Sequence, residues 1–331
     1  MIITKTPFRI SFFGGGTDYP PWFRKNTGAV LATTIDKYCY ISVRHLPQFF
    51  EHKHRIVYSH IENVSSIDEI QHPAVRAVLD YASVTKGLEI HHDGDLPARS
   101  GLGSSSAFTV GLVHALKALD GRRSGKLELA KEAIHIEQNV IGENVGSQDQ
   151  VSVAYGGLNR IDFHRDDSFT VEPVIISSHR AQLLHSHLML CFTGFSRIAS
   201  EIAKSKIDNL GKRENELNKM YEMVDEGISI LQEANRSIED FGRLLHDGWQ
   251  YKRSLSDQVT TPEIDAIYSV AIKEGALGGK ILGAGGGGFM LLFAPPDRHQ
   301  AIREKLHDLV HVPFNFESAG SRVVLYEPSG F

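Results

Sequence analysis

Three stretches of this sequence gather residues able to handle an anion or a proton. In LPARSGLGSSSAF, from Leu96 to Phe108, Gly101, Leu102, Gly103, Ser104, Ser105 and Ser106 run straight into an apolar helical pattern. A helix N-terminus carries unpaired N–H groups and partial positive charge, so it draws anions. Gly101 and Gly103 let the backbone approach phosphate oxygens closely. The serine hydroxyls add donors, one of which could also ligate Mg²⁺. A serine-capped helix after a flexible loop has the same composition. It is not a Walker A loop, since no G-x-x-x-x-G-K-[ST] occurs.

The carboxylates come next. Glu137 shares a helical face with Ala130, Ala133, Ile134 and Ile141, the side expected to be buried. A buried carboxylate needs a partner, so the alternatives are a structural salt bridge and a metal ligand. Asp149 follows in GSQDQ, and locally it reads as a turn residue or helix cap. Arg9, the one charge in the first strand pattern, faces either a core carboxylate or Asp149 and a transferring phosphoryl group. A second glycine cluster, GAGGGGF from Gly283 to Phe289, spells G-x-G-x-x-G. The strand-like FMLLF after it argues against a dinucleotide site and for a close backbone approach to a ligand or to the first glycine loop. DFG at Asp240–Gly242 lies in a helical pattern, without the other protein-kinase signatures.

These groups need positioning elements. Phe8–Phe13, Ala29–Ile35, Tyr38–Val43 and Leu188–Phe192 read as strands. Ala74–Ala82, the segment after Ser106, Leu127–Ile141 and Glu214–Ala234 read as helices. Thr261 caps a further helix, with Pro262 at its first position. A hairpin is expected around Asp166–Ser168 and a domain seam in Ile175–His187. Strands and helices mix without a βαβ rhythm, so the fold class is α+β, divided as 1–175 and 176–331.

At 331 residues, two domains are the natural division. The net charge of −5 gives no reason to expect nucleic acid or an anionic membrane as partner, and no apolar run is long enough to span a bilayer. The N-terminus lacks a signal-peptide pattern, so a cytoplasmic protein is expected. Cys39 and Cys191, each in an apolar stretch, read as buried free thiols. His52, His54, His91 and His92 are expected to face solvent, with no structural zinc.

Taken together, TPFRISFFGGGTDYP, LPARSGLGSSSAF and GGKILGAGGGGF, in this order and spacing, resemble the three motifs of the GHMP kinase superfamily across nearly the whole chain. The resemblance implies a ribosomal protein S5 domain 2-like N-terminal domain, a ferredoxin-like C-terminal domain, and ATP and substrate in the cleft between them. It assigns Gly101, Leu102, Gly103, Ser104, Ser105 and Ser106 to the ATP phosphates, and Ser105 and Glu137 to Mg²⁺. Asp149 becomes the acceptor of the attacking hydroxyl's proton, with Arg9 beside it. Gly283, Gly285, Gly286 and Gly287 form the third motif's loop.

Within the superfamily, FFGGGTDYP and CFTGFSRIASEI are similar to the D-glycero-D-manno-heptose 7-phosphate kinases. That similarity implies a small-molecule sugar phosphate as substrate and a product for lipopolysaccharide or capsule; no long heptad or surface stripe marks an interface, which leaves monomer or homodimer. Gly15 and Gly16 stand where galactokinases carry Glu-His, which opens room for a longer, phosphorylated sugar. Thr17, Asp18, Tyr155 and Gly156 are expected at the sugar, with Asp18 on its hydroxyls. Arg197, with Lys204 and Lys206, is expected at the 7-phosphate, unless these are a solvated helix face. A 1-kinase for a neutral sugar such as L-fucose, a catalytically silent sugar sensor and a nicotinamide-dependent oxidoreductase are the alternatives.

Overall fold

Phe8, Ile10 and Phe12 alternate with Arg9 and Ser11 in β1 (Ile2–Phe13) of the computed structural model, which describes residues 1–98, 100–194 and 199–328. From Thr6 onward every residue of β1 is buried, so Arg9 and Ser11 face a covered interior rather than solvent. The two strands expected in 29–43 are one strand, β2 (Gly28–His45). Its register with β1 jumps from Pro7–Tyr38 to Phe8–Ile35, which places Asp36 and Lys37 in a bulge. That polar pair is why the sequence reads as a break.

β3 (His54–Val57), β4 (Ile61–Val64), β5 (Leu88–Gly94), β6 (Asn159–Phe163) and β7 (Phe169–Pro173) extend the sheet around β2. β6 and β7 form the hairpin expected around Asp166–Ser168. The helices of this half are α1 (Pro20–Asn26), α2 (Pro73–Tyr81), α3 (Ser104–Leu119), α4 (Lys126–His135) and α5 (Gln148–Tyr155). α3 lies against β1 and β2, and Thr4 donates to Gly111 O at 2.9 Å across that contact. The helix expected over 127–141 closes with a wide π turn, Ile136–Val140, marked by Ile141 N donating to Ile136 O at 2.8 Å. Such turns re-aim side chains and recur at functional sites.

The second half carries α6 (Ser178–Ser186), β8 (Leu188–Phe192), α7 (Ala199–Asn209), α8 (Glu214–Gln232), α9 (Glu239–Ser254), α10 (Pro262–Lys273), β9 (Gly278–Ile281), β10 (Phe289–Phe293), α11 (His299–Lys305) and β11 (Val310–His311). Its strands are antiparallel in the order β11-β8-β10-β9, the ferredoxin-like arrangement. Thr261 caps α10 by accepting from Ile264 N at 3.3 Å. The expected division at 175/176 departs from sheet membership. β12 (Phe316–Glu317) and β13 (Arg322–Tyr326) return to pair with β2 and β1, and much of the expected seam is helix α6.

The two sheets meet through aromatic packing. Phe241 of α9 lies edge-on to Phe12 and Phe13 of β1, with ring centroids 5.3 and 5.0 Å away, and 6.1 Å from Phe293 of β10. Each such pair adds about 0.5–1.5 kcal/mol to the area it buries. Phe241 and Gly242 of the DFG triplet are therefore buried between the sheets, while Asp240 pairs with Arg243 at the surface. Both cysteines are buried and unpaired. Of the histidines expected to face solvent, His54 is fully buried and His52, His91 and His92 are partly covered. His91 lies 2.9 Å from Glu89 on the same strand, with 41% of its side chain still exposed.

Candidate active site

β1, the Gly14–Tyr19 turn, the loop before α3 and the starts of α3 and α5 converge on one cleft, whose far side is built from α7, α9 and the β9–β10 loop. It holds about 1190 Å³ including its open mouth. That exceeds what one small ligand fills, roughly 300–1,000 Å³.

At its centre Arg9, 2% exposed, grips Asp149 in a fork: Nε donates to Oδ1 and Nη2 to Oδ2, both at 2.7 Å. Its remaining nitrogen, Nη1, donates to Gly101 O at 2.6 Å, and its amide donates to Leu102 O at 3.0 Å. One guanidinium thus ties the first strand, the glycine loop and the start of α5 together. The reading of Asp149 as a mere cap gives way to an Arg-held carboxylate, with its side chain 26% exposed to the cleft.

Gly103, at φ 73°, starts α3 without a side-chain cap, so the amide dipoles of the first turn are directed toward the cleft. A Cβ on Gly101 would lie 2.6 Å from Leu282 O, and one on Gly283 would lie 2.6 Å from Gly101 Cα. The two glycine loops touch backbone to backbone, as their composition predicts. Gly283 and Ala284 line the cleft. Gly285 and Gly286 instead pack on Val259, Gly286 donating to its carbonyl at 2.9 Å. β10 after this loop leaves no helix for a dinucleotide phosphate.

Glu137, 1% exposed, has no cationic partner among its bonds. Oε2 accepts from Ser106 Oγ at 2.9 Å and from Gln150 Nε2, while Oε1 is buried with no hydrogen-bond partner. Burial pushes its carboxyl up to about 7, against the pull of Thr109, Ser106 and Gln150. This removes the salt-bridge reading. The hydroxyl bonded to Glu137 is that of Ser106, while Ser105, the residue expected with Glu137 at Mg²⁺, is exposed at the cleft. No group of three or more His, Cys, Asp or Glu is gathered for a metal among the described residues. The donor set suits an ion held by one carboxylate, a hydroxyl and phosphates, the usual habit of Mg²⁺.

Asp18 is 1% exposed, and burial raises its pKa. Gly16 N donates to it at 2.8 Å and Gln148 Nε2 at 3.0 Å, and Gly15 and Gly16 line the cleft beside it. Thr17 does not reach the cleft. Its hydroxyl donates to Gly14 O and Ala29 O and accepts from Ala29 N, pinning the turn. Tyr155 and Gly156 also lie elsewhere, at the end of α5 opposite Asp149, about 9 Å along the helix. Gly156 packs on Ala319 and Gly320, and Tyr155 on Phe169. Arg197 lies outside the described residues.

The sequence reading missed most of the far wall. Lys206 lines it as expected, but Lys204 is exposed, and Lys252 and Lys280 join it. Lys252 donates to Ile281 O at 2.6 Å and Gly283 O at 2.7 Å, and Lys280 donates to Phe12 O at 2.9 Å. Burial lowers the pKa of all three, Lys206 to about 8 and Lys280 to about 7. Gln148 and Gln150, flanking Asp149, were also missed. The signal available was the i±1 neighbourhood of Asp149 on a short helix.

A forked Arg–carboxylate pair beside a glycine-led helix start, with a second buried carboxylate in the same cleft, is an arrangement able to support phosphoryl transfer on a two-domain α+β fold. The comparisons agree. Residues 69–157 match the model of the GHMP kinases N terminal domain and residues 228–311 that of the GHMP kinases C terminal domain. The D-glycero-alpha-D-manno-heptose 7-phosphate kinase of Campylobacter jejuni is 32% identical over 309 residues, 90% of each chain. The L-fucokinase/L-fucose-1-P guanylyltransferase of Bacteroides fragilis is 27% identical over 90% of this chain and 35% of its own. A crystal structure of a D-glycero-D-manno-heptose 1-phosphate kinase from Bacteriodes thetaiotaomicron has a TM-score of 0.80 at 22% identity, covering 98% of this chain and 99% of that one. The chain belongs to the GHMP kinases and is a phosphotransferase of their sugar-kinase branch, with ATP and a small sugar as substrates. No helix among the described residues is long and apolar enough to cross a membrane.

Proposed function

We propose that this kinase phosphorylates the anomeric C1 hydroxyl of D-glycero-D-manno-heptose 7-phosphate in a Mg²⁺-dependent reaction, giving the 1,7-bisphosphate for nucleotide-activated heptose of lipopolysaccharide or capsule. The observation that carries the chemistry is the Asp149 carboxylate, held in Arg9's fork at the lip of the Gly101–Ser106 loop. The similarity to the Campylobacter enzyme supports the substrate.

In this reading the triphosphate lies along the glycine loop and the start of α3. Asp149 orients the C1 hydroxyl and takes its proton as that oxygen attacks the γ-phosphorus and the bond to the β-phosphate oxygen breaks. Arg9 keeps the carboxylate placed and offsets the negative charge spread over the transferring group. Positioning and charge neutralisation carry most of such a reaction. Glu137, with its orphaned Oε1, and the hydroxyls of Ser105 and Ser106 would hold Mg²⁺, which when bound neutralises phosphate oxygens. Asp18 holds sugar hydroxyls, and the Gly15-Gly16 opening admits the longer substrate.

An ADP-release assay over heptose 7-phosphate, L-fucose, galactose and mannose, with Asp149→Ala alongside, tests the reading. Preference for the heptose phosphate, lost in the variant, is expected. Preference for a neutral sugar would keep the kinase and discard the substrate.

A further inference from the structure

The lysine wall is unexplained by the chemistry of Arg9, Glu137 and Asp149. Lys206 on α7, Lys252 on α9 and Lys280 on β9 come from three separate elements, and each is only 5% exposed. Lys252 gives two of its protons to loop carbonyls and Lys280 one to Phe12 O. Lys206 lines the cleft, and its ammonium meets no hydrogen-bond acceptor among the described residues. Lys252 and Lys280 repel Lys206, both also sense Arg9, and all three are drawn to Asp18.

Asp149 is matched by Arg9, and the three lysines share the cleft with Asp18, whose field reaches each of them. Burying like charges together is costly unless an anion joins them. A phosphomonoester carries roughly −1.5 to −2 at pH 7 and would hold these buried amines in their charged form. The nucleotide's phosphates have their own cradle at Gly101–Ser106, which the β9–β10 loop touches at Gly283. The lysines gather instead around Asp18, the residue assigned to the sugar.

We propose that Lys206, Lys252 and Lys280 form a second anion site that takes the phosphate already carried by the sugar, so that the enzyme selects its substrate by that group. The inference rests on the sugar-phosphate reading above. Lys206 is its specificity-determining member, because its donors are uncommitted, whereas Lys252 and Lys280 also brace the β9–β10 loop and β1.

The test measures kcat and KM for the wild type, Lys206→Gln and Lys206→Arg with heptose 7-phosphate and with the same heptose unphosphorylated. Loss of a charge-assisted hydrogen bond should raise KM for the phosphorylated sugar on the order of ten- to a hundredfold in Lys206→Gln. The KM for the neutral sugar should rise about tenfold less, and Lys206→Arg should recover part of the loss with the phosphorylated one. Inorganic phosphate should raise the thermal midpoint of the wild type more than that of Lys206→Gln, which also establishes that the variant is folded. An equal fall of kcat with both sugars would overturn the assignment and place the lysines on the transferring phosphoryl group. Unchanged constants with both would overturn it too. A wild type with no preference for the phosphorylated sugar would refute the substrate reading itself, before any variant is compared.

Discussion

Free of ligands at pH 8, the Glu137→Gln variant should be more stable than its parent by about 3 kcal/mol. The carboxyl is buried, and its pKa rises from 4.5 to about 7. Between those two values the unfolded chain has Glu137 ionised while the folded protein still holds its proton. Parental stability therefore falls as pH rises across the window, at about 1.4 kcal/mol per pH unit. Glutamine does not ionise and can still accept from Ser106 and Gln150. The variant lacks that slope, and other titrating groups cancel in the difference. Urea denaturation of both proteins at pH 5, 6, 7 and 8 reads it directly. The gap should stay below about 1 kcal/mol at pH 5 and reach its full size by pH 8. Mg·ATP should then stabilise the parent strongly and the variant weakly. A gap of the same size at pH 5 and pH 8 would show that the Glu137 carboxyl is not held protonated by its surroundings, and the metal-ligand argument would lose its footing.

Asp149→Ala should lower kcat by about 10²–10⁴-fold while Mg·ATP still binds, as read by ADP release and calorimetry. Arg9→Lys keeps the charge but not the fork that spans Asp149 and Gly101 O. It should cost on the order of tenfold or more in kcat/KM and lower the thermal midpoint, while an unaltered enzyme would make the fork dispensable. Phe241→Ala, in the core between the two sheets, should destabilise by about 3–5 kcal/mol in a denaturation series. Gly283→Ala puts a methyl 2.6 Å from Gly101 Cα at a φ of 67°. It should weaken ATP binding more than sugar binding, measured by isothermal titration.

The parts of the site legible in the sequence share a local signature. The glycine–serine loop, the burial of Glu137 in a helical stripe and the lone arginine of β1 each show in a window of a dozen residues. The resemblance of three ordered motifs then joined Arg9, Glu137 and Asp149, which lie up to 140 positions apart. The direct hydrogen bond of Ser106 to Glu137 was not legible, because one residue at a helix start turns a hydroxyl by about 100°, a difference that spacing alone does not resolve. Thr17, Tyr155 and Gly156 were drawn into the site by nearness in sequence. α5 carries the last two away from it, and Thr17 spends its hydroxyl on the turn. Lys252 and Lys280 left no signal, since each looks like an ordinary charge until α9 packs on β9 along the far wall of the cleft. The tail escaped for a similar reason: β12 and β13 are short, and only the open edges of a sheet built some 300 residues earlier make them strands.

The most direct test of the central claim is the ³¹P spectrum of the product formed from heptose 7-phosphate, Mg²⁺ and ATP. A second phosphomonoester signal coupled to the anomeric proton should appear in step with ADP and be absent with Asp149→Ala. ADP released with no such signal, or a new phosphate on another carbon, would contradict it.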